Sequence, residues 1–321
     1  MSVSRADRVR GCIFGLAVGD ALGAPVEFAK LADIYTRYGP KGITQLEPSM
    51  FGPPGTYTDD TQMAIATLKG CLRALAERKE EAWREAPRFV WRDYIDWLVT
   101  QNDPRQRRAP GVTCTGALQN GRPGSVSEPV NSSKGCGGVM RTAPVGLLFP
   151  PDQAFAVGGE CAALTHGHPS GYLPAAVVAA MTSVFAAGGT VPDALGEARA
   201  RLDVVAGNRE TLAAIETAER YAFAGRAGIE VERKLGEGWT GESALAISLY
   251  CILRHSADWT AGVLCAVNRT GDSDSVGAIT GALLGTLLGV NAIPADWLRQ
   301  VENARLLDKL AGEVLALQPA G

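Results

Sequence analysis

The sequence predicts an all-α protein, and three observations carry that expectation. Long segments repeat apolar residues with the 3.6-residue period of a helix, and no segment alternates convincingly as a strand would. Two of these segments carry a glycine at every fourth position: Gly11, Gly15, Gly19 and Gly23, then Gly277, Gly281, Gly285 and Gly289. Glycine is also abundant, 38 of 321 residues, against a usual share of roughly 7%. An interior helix glycine costs about 1 kcal/mol relative to alanine, so packing has to offset the stripes. Close approach of two helices at the molecule's centre does so; the competing explanation is drift toward small residues in an Ala/Gly-rich chain.

The elements follow in order. A first helix is expected over about 5–24, opened by Ser4 with Asp7 three residues on as a capping box. A loop rich in Gly and Pro runs from Tyr38 to Gly55. A second helix starts near Asp59 and continues to about Glu77, and a third, with Trp83, Trp91 and Trp97, ends before Asp103-Pro104. The stretch 103–138 is full of Gly, Pro, Asn and Ser; irregular stretches this long inside a domain are usually functional. Helices are expected again at about 151–164, 172–187, 208–223, 242–254, 258–267, 275–289 and 295–316. No tandem repeat, low-complexity run or Ser/Gly linker divides the chain, so a single domain over 1–321 is expected.

Composition closes off several function classes. With three histidines (His166, His168, His255), a His-rich metal site is excluded. The formal net charge is −3 and the densest basic cluster is Arg105, Arg107 and Arg108, too little for a protein that grips a nucleic-acid backbone. Cys12, Cys71, Cys114, Cys136, Cys161, Cys251 and Cys265 are scattered with no CxxC pair, which excludes zinc ribbons and thioredoxin-type sites and suits reduced thiols in a cytoplasm. The opening MSVSRADRVRG lacks the apolar core of a signal peptide. Two uncharged runs, Gly171–Pro192 and Ser275–Ala295, reach the roughly 20 residues of a membrane span. Both are diluted by Gly, Ala, Thr and Ser, contain Pro, and lack a flanking Lys/Arg cluster. They are expected as buried core helices, with no membrane partner.

Two acidic clusters carry the chemistry. Thr58-Asp59-Asp60-Thr61 and Asp272-Ser273-Asp274-Ser275 each precede an apolar helical segment. Capping of a helix N-terminus accounts for one Asp or Ser per helix, not for two carboxylates and a hydroxyl, twice. Four neighbouring carboxylates repel and raise each other's pKa unless cations intervene. Oxygen donors of this kind suit Mg²⁺ or Mn²⁺. If the glycine stripes bring the clusters together, a two-metal site results, with ions roughly 3.5–4 Å apart and an activated water. Separate helix caps remain the alternative.

Three further features belong to the candidate set. Ser133-Lys134-Gly135-Cys136-Gly137-Gly138, before Val139-Met140-Arg141, offers successive backbone N–H groups that can cradle an anion; its spacing is not that of a P-loop or dinucleotide fingerprint. Thr165-His166-Gly167-His168-Pro169 follows a helix; His166 reads as placed to hydrogen-bond a polar ligand, with a structural histidine as the alternative, and His168 reads more readily as structural. Glu27, just past the first glycine stripe, reads as a surface residue or as an acid/base group near the clusters.

Together these motifs resemble the ADP-ribosylglycohydrolase family. The resemblance rests on Gly15-Leu16-Ala17-Val18-Gly19-Asp20-Ala21-Leu22-Gly23 with Glu27, and on Tyr57-Thr58-Asp59-Asp60-Thr61. Gly135 to Arg141, Thr165-His166 and Gly271-Asp272-Ser273-Asp274-Ser275 complete it, in family order over about residues 8–290. It implies a compact multi-helix orthogonal bundle, two divalent cations (Mg²⁺ or Mn²⁺) and hydrolysis of the bond joining ADP-ribose to an acceptor. Carried over by motif, Thr58, Asp59 and Asp60 hold one side of the metal pair, and Asp272, Asp274 and Ser275 the other. Glu27 matches a mobile acidic residue. The loop with Ser133, Lys134, Gly135, Cys136, Gly137, Gly138 and Met140 would hold the diphosphate and distal ribose, with His166 and Gly271 also lining the ligand. A second proton-handling carboxylate is not placed; Asp103 is a candidate.

The chain departs from the family pattern at Ser275, where many members have Thr, and at Cys136, where Asn is common; Ser273 lies at a variable position. The expected substrate is an ADP-ribosylated protein, foremost ADP-ribosylarginine, or a small ADP-ribose derivative, with nucleic acid entering only as an ADP-ribosylated substrate. A prenyl-diphosphate enzyme is a second class, but its DDxxD motif would need an acid at Met63. An ADP-ribose-binding or toxin-neutralising protein of the same fold is a third.

Overall fold

The computed structural model describes residues 3–317, and the described residues form fifteen α-helices with short 3₁₀ turns and no strand. In order these are α1 (Arg5–Gly23), α2 (Leu31–Tyr38), α3 (Asp59–Arg78), α4 (Ala82–Thr100), α5 (Val112–Gln119), α6 (Pro151–Ala163) and α7 (Pro169–Ala186). They continue with α8 (Val191–Leu202), α9 (Arg209–Phe223), α10 (Ile229–Leu235), α11 (Gly241–Arg254) and α12 (Trp259–Val267). The last are α13 (Ser273–Leu288), α14 (Ala295–Gln300) and α15 (Ala304–Ala316).

Helices α1, α7 and α13 are buried almost all round, the mark of central rather than surface helices. α7 is also long and apolar enough to cross a membrane, yet 83% of it is buried within the fold. α1 and α13 run antiparallel with their stripes face to face. A Cβ added at Gly11, Gly15 or Gly19 would lie 2.0, 2.1 and 2.0 Å from the carbonyl oxygens of Gly285, Gly281 and Gly277. Only glycine permits that approach. The fourth pairing sets Gly23 against Ser273 and Asp274, so the end of α1 lies at the acidic start of α13.

Four helices lie where the sequence reading placed none. α2 is two turns long with only Ile34 buried, too short to show a period. α5 falls inside the stretch read as irregular and starts without a side-chain cap. α10 is one short piece between Gly228 and Gly236, both at positive φ. α8 did carry a signal, the capping box of Thr190 with Asp193 and a proline in the first turn. The expected helix over 295–316 is two helices. Asn303 at φ 52° breaks it, and Glu302 N–H turns away to donate to the Gly55 carbonyl.

Candidate active site

Asp20 organises the site. It is a fully buried carboxylate in the last turn of the glycine-striped α1, so it needs donors. It finds them at the start of α3: Thr58 N–H at 2.9 Å, Thr61 N–H at 3.0 Å and Thr61 Oγ1–H at 2.6 Å. Thr58 caps α3, accepting from Asp60 N–H. One side of α1 therefore pins the first acidic cluster, while the stripe pins the second. Asp20 was not among the expected site residues. Its signal was a charged residue in the otherwise uncharged second half of α1, Gly11–Gly23.

The clusters line one cavity of about 320 Å³. Glu27, Asp59, Asp60, Asp272, Asp274 and Ser275 line it on one side, and Gly135, Cys136, Gly137, Met140 and His166 on another. Among the described residues, no lysine or arginine lines it. The consequences are electrostatic. Burial, then the Asp274 charge, pushes Asp20 up to about 7. Glu27 is pushed up to about 11 by burial and by Asp274, Asp272 and Asp59. Asp59, Asp60 and Asp272 all rise well above the ordinary carboxylate range, chiefly by burial and then by Asp274, and Asp274 rises by burial too.

Local bonds hold some of these oxygens and leave others open. Asp59 accepts from Gly111 N–H, and Asp272 and Asp274 both accept from Ser275 N–H. Cys136 Sγ–H donates to Asp272 at 2.7 Å, the role an amide would take at that position. Asp60 Oδ2 is buried with no partner. Oxygen-only donors, an orphaned carboxylate oxygen and the absence of a lining cation fit hard divalent cations. Among the described residues, no group of three or more His, Cys, Asp or Glu side chains is set to hold a metal ion as placed.

The glycine loop is built for close approach rather than as an anion nest. Gly135, Gly137 and Gly138 are not among the positive-φ glycines, and Cys136–Gly138 form a 3₁₀ turn. A Cβ at Gly135 or Gly137 would crowd the His166 ring at 3.1 and 3.0 Å, and one at Gly138 would crowd Ala162. Ser133 Oγ accepts from Gly135 N–H. Lys134 turns to Glu210 of α9 at 2.6 Å and does not line the cavity. Gly271, at φ 117°, supports the turn into Asp272; its carbonyl accepts from Phe28 N–H. Asp103 is paired with Arg105 and lies outside the cavity lining. His168 caps α7 through Ser170 N–H.

His166 is fixed from behind. Arg141, fully buried, donates to Thr165 Oγ1 at 2.7 Å, and that hydroxyl lies 2.8 Å from His166 Nδ1. The hydroxyl's other acceptor, the Ala162 carbonyl, is 3.5 Å away, so its proton goes to Nδ1, an assignment made from the network. His166 then carries its own proton on Nε2, beside Gly135 and Gly137. Burial, then the Arg141 charge, lowers its pKa to about 3. It is a neutral N–H donor aimed at the cavity. At the rim, Phe28 and Trp239 stack with ring centroids 5.2 Å apart, and Phe28 is 67% exposed at φ 66°.

Comparison with known proteins gives a consistent answer. A family model described as ADP-ribosylglycohydrolase matches residues 1–320. Human ADP-ribosylhydrolase ARH3 is 27% identical, covering 95% of this chain and 92% of its own. The ADP-ribosyl-[dinitrogen reductase] glycohydrolase of Rhodospirillum rubrum is 26% identical over 92% of this chain and 90% of its own. A solved structure described as an ADP-ribosylglycohydrolase-related protein complex superposes with a TM-score of 0.72 at 27% identity, covering 97% of this chain and 98% of that one. With its glycine stripes, acidic helix starts and glycine loop meeting at one cavity, the chain belongs to the ADP-ribosylglycohydrolase family of ADP-ribose-removing enzymes.

Proposed function

We propose that the protein hydrolyses the bond between ADP-ribose and the arginine of a modified protein, using two divalent cations, Mg²⁺ or Mn²⁺, in the cytoplasm. The observation that carries the reading is the cavity where Glu27, Asp59, Asp60, Asp272 and Asp274 converge with no basic residue in the lining. Thr58, Asp59 and Asp60 would hold one ion and Asp272, Asp274 and Ser275 the other. When bound, the ions would orient the ribose hydroxyls and lower the pKa of water.

The chain's own residues do the rest. Positive charge develops at the anomeric carbon as in glycoside hydrolysis, and the carboxylates lining the cavity stabilise it. Glu27 holds a proton beside Asp274 that can pass to the leaving acceptor. His166 offers its Nε2–H to a ligand oxygen without titrating. The anionic cavity and the Phe28–Trp239 rim favour a planar cation such as guanidinium, which supports arginine as the acceptor.

The test is a panel of ADP-ribosylated arginine, serine and nucleic-acid substrates, and free ADP-ribose derivatives, with Mg²⁺, Mn²⁺ or chelator. Release of ADP-ribose from the arginine substrate, lost on chelation, is expected. Preference for another substrate refutes the acceptor, and no release from any together with no ADP-ribose binding refutes the hydrolase.

A further inference from the structure

Away from the cavity, α11 and α12 form a hairpin that places two thiols in contact. Cys251 and Cys265 lie with their sulfurs 3.3 Å apart, unbonded. Their surroundings differ. Cys251 is fully buried, and Cys265 is half-buried. His255, just past the end of α11, and the Arg269 charge both favour the thiolate of Cys265. Arg269 is itself buried, with Nε and Nη2 unpartnered. A buried guanidinium lacking partners favours an anion beside it, and no carboxylate is paired with it among the described residues.

We propose that Cys265 and Cys251 form a peroxide-reactive dithiol, with Cys265 as the attacking sulfur and Cys251 as the resolving one. The asymmetry supports the assignment. Cys265 is lowered to about 5, first by the thiol hydrogen bond from Cys251 and then by His255 and Arg269, against the opposing effect of burial. Burial raises Cys251 well above an ordinary thiol. Reactive cysteines sit in such partly exposed, electropositive places, whereas buried thiols elsewhere are inert. Cys71 and Cys161, also close together, are both fully buried.

The chemistry balances with hydrogen peroxide as oxidant. The Cys265 thiolate attacks one peroxide oxygen and the O–O bond breaks. Hydroxide leaves and takes up the proton Cys265 had released, giving water and a sulfenic acid. Cys251 then attacks that sulfur; the S–S bond forms, the S–O bond breaks, and the hydroxyl leaves with the Cys251 proton as water. Two thiols lose two electrons and peroxide gains them. Because the sulfurs already touch, the second step needs no opening of the core.

The experiment treats the metal-loaded full-length protein with stepwise hydrogen peroxide and maps the products by peptide mass. One Cys251–Cys265 crosslink, reversed by dithiothreitol, is expected before any other cysteine is oxidised. Cys251→Ala, which also removes the thiol hydrogen bond to Cys265, should slow the reaction yet stop it at a sulfenic acid on Cys265 that a dimedone-type reagent captures, and Cys265→Ser should abolish it. Below pH 7, Cys265 of the unaltered protein should alkylate roughly tenfold faster than any other cysteine, a readout that does not depend on a variant folding. Oxidation starting elsewhere, no crosslink, or alkylation following an ordinary thiol overturns the proposal, whatever the outcome for hydrolysis.

Discussion

Arg141 is a buried cation with no carboxylate of its own. It lies 4.4 Å over the Tyr94 ring and donates to Thr165 Oγ1 and to the Cys161 carbonyl. Both bonds come from Nη2, while Nη1 reaches Met63 Sδ and Cys114 Sγ; a lysine's single nitrogen could not serve both sides as the guanidinium fork does. Arg141→Lys should therefore destabilise the fold by at least about 2 kcal/mol, read by chemical denaturation. Burial, and then the Arg141 charge, keeps His166 neutral. The folded imidazole has its pKa lowered from 6.5 to about 3, so the folded state binds this proton less readily than the unfolded chain. The resulting stability is present above pH 6.5 and is lost as pH falls toward 3. In ¹⁵N NMR, His166 should show the Nε2–H form and no titration around pH 6.5. Thr165→Val should disturb that form, and an imidazolium signal appearing near 6.5 would refute the relay.

At the scale of elements, the contact of α1 with α13 sets where the acidic clusters lie. Gly15→Ala would place a methyl 2.1 Å from the Gly281 carbonyl. Overpacking of this kind costs about 1–3 kcal/mol or more, against roughly 1 kcal/mol gained in helix propensity. Gly312 and Gly196 also lie inside helices but face nothing within 4 Å. Alanine there should stabilise by up to about 1 kcal/mol. Thermal melts of the variants should move in opposite directions; parallel shifts would show that the stripe is compositional drift.

These same elements show what the sequence could reveal. The stripes, with their four-residue period and adjoining acidic starts, were legible because helical geometry turns spacing into a face. Asp20 was harder, since its partners Thr58 and Thr61 are distant in sequence and join it only after folding. The Arg141–Thr165–His166 chain was illegible for the same reason. Short helices such as α2 and α10 carry too few residues to show a period, and the break at Asn303 has no proline or glycine to announce it.

For the whole molecule, the carboxylate cavity opposes its own ionisation. Asp20, at about 7, and Glu27, at about 11, are raised above their ordinary values, so the folded state takes up protons that the unfolded chain has released. Without divalent cations, stability should fall as pH rises from the ordinary carboxylate range through 7 and beyond. Cations that bind only the folded protein reverse this, adding about 2.7 kcal/mol per site at a hundredfold excess over Kd. Melting curves in chelator and in Mn²⁺ should diverge more as pH rises above 7. A chelated protein that gains stability over that range would contradict the electrostatic account.

The most direct test of the central claim, that α1 joins two acidic helix starts into one dication site, is a calorimetric titration of chelator-treated protein with Mn²⁺. Two ions per chain with release of protons are expected, and Asp60→Asn and Asp272→Ala should each weaken or remove binding while the fold is retained by circular dichroism. No Mn²⁺ uptake, or uptake that neither substitution changes, would contradict it.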